Sequence, residues 1–297
     1  MQTENKQRLL LLGKVILSAI TTFVVLRGLG LIVFWFIPEN TISTPLIMVI
    51  TGGSYILAGL ITIALFVKVI DKEAFFTSDW FSLQNGVKDY FIGGLLGCIC
   101  ILLGFLIIIN LNWNQVEIAP LRIRFLSASF FMFLCSTFFE ELVFRGYMLR
   151  KLLERFSPII SLSLSSLIFC LVHCFFCPGI TIVSIINIFL ASLLLGMLFI
   201  KTKNIWLATG FHFLWNYIQS ILGFNVSGGE FPSILYLNFD DNLFNGGYFG
   251  FEGSYVCTII LLLALCFYYK KATRQNVNDV KCNEVETSNK ETQQQNN

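Results

Sequence analysis

Three short constellations in this chain combine residue types that hydrolytic chemistry uses. They are Glu140-Glu141-Leu142-Val143-Phe144-Arg145, Phe169-Cys170-Leu171-Val172-His173 and His212-Phe213-Leu214-Trp215-Asn216. Between them they hold the only two histidines of the protein. A carboxylate set among apolar neighbours can take a proton from water and hand it on to a leaving amine. Glu140 is the candidate for that task, with His173 placed to hold the same water or share its proton. Arg145 and Asn216 are donors of the kind that stabilise an oxyanion. His212 would orient the site or bind substrate, and Glu141 would position Arg145 from behind.

Helical spacing refines these assignments. Glu141 and Arg145 are four residues apart and can pair on one face, while Glu140 is turned about 100° away and can point elsewhere. His212 and Asn216 also share a face. Blander readings stand beside each role. The Glu141–Arg145 pair could simply be a salt bridge that holds helices, Asn216 could glue helices together, and Phe169 could be packing. Metal hydrolysis is the competing chemistry, since Glu140, His173 and His212 supply donors that a Zn²⁺ could use. No His-Glu-x-x-His helix is present. Cys174-x-x-Cys177 lacks the second cysteine pair of a zinc finger.

The elements that position these residues follow from composition. Hydrophobic residues make up 56% of 297 and charged residues only 13%, with mean hydropathy +0.74. A soluble domain carries roughly 25% charged residues, so the chain is read as an all-α polytopic membrane bundle. Segments of about 20 apolar residues occur near 10–36, 46–69, 90–109, 127–149, 159–177, 180–200, 205–224 and 254–269, giving about eight spans. Lys14 and Arg27 within the first must snorkel or face the bundle. The segment 71–89, with Trp80 and Phe81, reads as interfacial. The expected organisation is N-terminal helices with that segment (1–124), a catalytic core (125–224), an extracytoplasmic loop (225–253), a last span (254–270) and a disordered cytoplasmic tail (271–297).

Lysine and arginine orient the bundle. With eight spans, Lys6, Arg8, Lys68, Lys72, Lys88, Arg150, Lys151, Arg155, Lys201, Lys203, Lys270 and Lys271 all fall on one side. The loop 225–253 contains neither Lys nor Arg. Both termini are therefore expected in the cytoplasm of a multi-pass plasma-membrane protein. If helix four turns back at Phe156-Ser157-Pro158, Glu140 and His173 each lie roughly 20–25 Å from that turn. Counted from Arg150 and Lys203, Glu140 and His212 lie about 15 Å and 13 Å deep. The three should therefore face one cavity in the cytoplasmic half.

The ordered trio Glu-Glu-x-x-x-Arg, Phe-x-x-x-His and His-x-x-x-Asn resembles the CPBP family, over about 125–222. That family includes the CAAX prenyl endopeptidase (Ras-converting enzyme) and the bacterial Abi proteins. The resemblance implies an intramembrane endopeptidase with eight helical spans and assigns oxyanion-stabilising roles to positions such as Arg145 and Asn216. It leaves metal use open between Zn²⁺ and glutamate catalysis without metal. The partners it implies are the lipid bilayer and a peptide or lipidated protein substrate, with no nucleic acid. The alternative is a non-catalytic interaction or bacteriocin-immunity protein using the same fold.

Overall fold

Apolar runs of this length can cross a bilayer only if every backbone N–H and C=O finds a partner within the segment, which selects helices. The computed structural model of the protein describes residues 2–36, 43–73, 79–112, 115–238 and 240–270. Among these residues, six helices are long and apolar enough to cross a membrane: α1 (Gln2–Phe36), α2 (Thr44–Ile70), α3 (Gly86–Asn112), α4 (Ile123–Leu153), α5 (Pro158–Phe176) and α6 (Ile182–Thr202). Two shorter ones, α7 (Trp206–Ile221) and α8 (Tyr255–Lys270), stand where the last two spans were expected. The chain is a multi-pass helical membrane protein. The tail expected to be disordered lies outside the described residues.

Local chemistry sets the turns. Pro158 opens α5 with Ser157 as its cap, where a missing N–H costs nothing. Thr181 and Ser184 form a reciprocal capping box at the start of α6. α2 ends in a π-helical stretch, Ala64–Ile70, and α4 contains another, Leu142–Leu149, directly after the glutamate pair.

α3 packs along α7, α2 along α4, and α5 along α6. The α3–α7 approach depends on glycine. A Cβ on Gly93 would stand 2.0 Å from the Leu207 carbonyl oxygen, and one on Gly210 would stand 1.9 Å from that of Tyr90. Small residues let helix backbones meet this closely in a membrane.

A charged lock closes one end of the bundle. Lys14 reaches Asp71 at 2.6 Å, Arg150 reaches Glu73 at 2.9 Å, and Lys151 contacts both acids. Tyr147 adds a hydrogen bond from its hydroxyl to Asp71 at 3.0 Å. Trp80, in the segment read as interfacial, is buried against Gly146, where a Cβ would come 2.6 Å from its ring. The backbone N–H of Ile205 donates to the Trp80 carbonyl, seating the start of α7 on the same plug. At the other end, strands β1 (Val116–Ile118) and β2 (Leu235–Leu237) pair antiparallel. They join the α3–α4 connection to the loop that follows α7.

Candidate active site

α4 brings Glu140 and Glu141 to the centre of the bundle, and the two carboxylates part ways there. Glu141 is completely buried and accepts two hydrogen bonds on one oxygen, from Arg145 Nη1 and from His212 Nδ1, each at 2.8 Å. Arg145 is 1% exposed. Its other amino group donates to Ser192 of α6, to Oγ at 3.0 Å and to the carbonyl at 3.3 Å. One carboxylate thus ties α4 to α7, while the guanidinium ties α4 to α6.

Glu140 faces the other way, into open space. It lines a cavity of about 60 Å³ together with His173, His212 and Asn216. His212 Nε2 lies 3.9 Å from Glu140 Oε2. Because the Nδ1 proton of His212 goes to Glu141, its Nε2 is the nitrogen left for this cavity. His173 is held likewise, its Nδ1–H donating to the Phe169 carbonyl at 2.9 Å. Its ring lies against Phe169, with centroids 4.3 Å apart. Glu140 Oε2 and Asn216 Oδ1 are buried polar atoms with no hydrogen-bond partner among the described residues. Such atoms are expensive unless a water or ligand meets them.

Of the expected site residues, Glu140, His173, His212 and Asn216 come together on one cavity, and Glu141 stands behind them. Arg145 differs from its expectation as an oxyanion donor. It lines neither this cavity nor the larger cleft beside it, its guanidinium lying 4.7 Å behind the Phe169 ring with its donors engaged. α4 continues to Leu153, which puts Glu140 about 20 Å from that end and about 25 Å from Ile123, and α5 stops three residues after His173. On α7, His212 stands six residues beyond the lock-side start at Trp206.

Residues outside the three motifs complete the cavity. Asn187 of α6 donates to the carbonyls of Glu252 and Ser254, both at 2.8 Å. Glu252 in turn accepts from the Ser227 N–H at 3.0 Å and from its hydroxyl at 2.9 Å. Asn187, Ser227 and Glu252 all line the cavity, so the loop expected outside the membrane folds down onto the site. Ser227 has φ +49°, a left-handed backbone that a non-glycine residue holds only at some cost. Asn187, a lone amide in an otherwise apolar run, was the sequence signal for this layer.

Among the described residues, no three His, Cys, Asp or Glu side chains stand together as a group able to hold a metal ion.

The helices and their buried polar cluster define a multi-pass membrane protein with a polar cavity inside its bundle. Residues 122–218, from the start of α4 to most of α7, match the family model for type II CAAX prenyl endopeptidase Rce1-like proteins. The match contains all three motifs. Comparison with curated proteins returned no match.

Proposed function

We propose that the chain is an intramembrane endopeptidase in which Glu140 activates a water for attack on a peptide carbonyl. The observation that carries this reading is a carboxylate oxygen and an amide oxygen, neither with a hydrogen-bond partner among the described residues, on one cavity with both histidines. The Rce1-like match over the same residues supports the reaction class.

In this mechanism Glu140 takes a proton from water while His173 Nε2 holds that water in line. The hydroxide adds to the carbonyl carbon, and the Asn216 amide N–H donates to the oxygen that becomes negative. Glu140 then passes its proton to the leaving nitrogen as the C–N bond breaks. His212, clamped by Glu141, forms the wall opposite Glu140 and orients the substrate. Arg145 acts through Glu141, fixing where that clamp stands. No step passes through a metal.

The Lys/Arg-rich lock end is assigned to the cytoplasm, with both termini there, in a plasma-membrane setting. The test is cleavage of a peptide library by the protein in liposomes, with wild type beside Glu140→Gln and with chelator present or absent. Wild-type cleavage that survives chelator and disappears in Glu140→Gln is the expected result. Equal cleavage by both proteins would overturn the mechanism, as would a loss with chelator that Zn²⁺ restores.

A further inference from the structure

The cavity at Glu140 adjoins a much larger cleft of about 640 Å³. Glu140, His173, Asn216 and Ser227 line both. The cleft's outer walls come from the far halves of α1 and α2, which lie outside the 122–218 match. Those walls are mostly apolar, and Arg27 of α1 is the only Lys or Arg among the described residues that line the cleft. No carboxylate lies within salt-bridge distance of Arg27 among the described residues. Its guanidinium instead lies 5.6 Å from the ring centre of Phe23 and 5.2 Å from that of Phe176. Those two rings stack at 4.3 Å and bridge α1 to α5. Tyr55 also lines the cleft wall.

A cation free to snorkel would extend to the headgroups. This one is held against two rings on the wall of a cleft that ends at the general base. We infer that Arg27 is a specificity-determining residue that binds a carboxylate of the substrate peptide. The inference rests on the peptidase reading for what fills the cleft. The site would take an extended apolar segment whose carboxylate, terminal or side-chain, meets Arg27 while a peptide bond lies at Glu140. A guanidinium and a carboxylate make an oriented, charge-assisted contact. Arg27 thereby sets which peptides enter without touching the reacting atoms.

The experiment measures binding, so it does not depend on turnover. Full-length Glu140→Gln protein in nanodiscs of zwitterionic lipid is offered one peptide library in three forms: free C-terminal acid, C-terminal amide, and amide with an internal Glu. The expected result is about tenfold tighter capture of one or both carboxylate forms over the plain amide. The preference should vanish in Arg27→Gln and persist in part in Arg27→Lys. The form that is preferred identifies the source of the carboxylate. Equal capture of all three forms by the Arg27 protein would overturn the inference. So would an undiminished preference in Arg27→Gln, or a preference that anionic lipid abolishes, since a lipid phosphate would then be the occupant. Failure of wild-type cleavage, measured separately, would count against the peptidase reading alone.

Discussion

Glu140 and Glu141 are adjacent in sequence and opposite in expected behaviour. Glu140→Gln keeps the shape of the side chain but cannot accept a proton. Hydrolysis should fall by roughly 10²–10⁴, while the thermal unfolding temperature in detergent holds, because an amide is cheaper to bury than a carboxylate. Glu141→Gln removes the charge that pairs with a fully buried Arg145. Breaking such a pair costs about 3–5 kcal/mol, so this variant should unfold at lower temperature and also lose rate as His212 is released. A Glu141→Gln protein of wild-type stability would contradict the clamp. The pairing of Glu141 with Arg145 was legible from four-residue spacing. Its second bond, to His212 on α7, was not, because local spacing carries no information on which distant helix faces which. Ionisable residues in apolar spans are conspicuous, which is why Glu140, His173 and His212 stood out. Ser227 and Glu252 did not, since a polar residue in a loop reads as solvated.

At the scale of elements, the position of His212 depends on how closely α7 approaches α3. Gly210→Ala would force a methyl into the Tyr90 carbonyl and push α7 outwards. The expected cost is about 1–3 kcal/mol, with a larger proportional loss of hydrolysis because His212 lies two residues further along. Gly53→Ala is the control, since nothing stands near that position. Equal effects of the two on unfolding would refute the close-approach argument. The helices themselves were readable from apolar run length, and seven of the eight expected spans lie within about three residues of a helix at one end at least. The π-helical turns have no compositional mark at all.

For the whole molecule, orientation and acid sensitivity are linked at the charged lock. Engineered cysteines in 225–253 should react with an impermeant label from outside intact cells, and cysteines near Lys203 should not; the reverse pattern would invert the topology. Burial alone would push the Asp71 and Glu73 carboxyls up. Hydrogen bonds from Lys14 to Asp71 and from Lys151 and Arg150 to Glu73 more than offset this and hold both below the usual carboxylate range. A depressed folded-state pKa contributes stability that is complete above the unfolded value and is lost as pH falls through the folded one. Stability should therefore be flat near neutrality and decline below about pH 4. Asp71→Asn should be less stable at neutral pH and show a shallower acid decline. An unchanged acid profile in that variant would remove the lock from the explanation.

The π-helical stretch of α4 acts as a gear between the two ends of the bundle. Glu140 and Glu141 come just before it, and Arg150 and Lys151 just after. Bonding five residues back gives this stretch a wider winding than the α-helix on either side, so it fixes the rotational phase of the lock residues relative to the face that carries Glu140. Inserting one residue after Leu149, beyond what the stretch already absorbs, would swing all that follows by about 100°. Glu140 would keep its cavity, while Arg150 and Lys151 turned away from Glu73 and Asp71. Such an insertion should leave the helix count intact and erase the acid decline. Torsion, and not contact alone, would then be what couples the two ends.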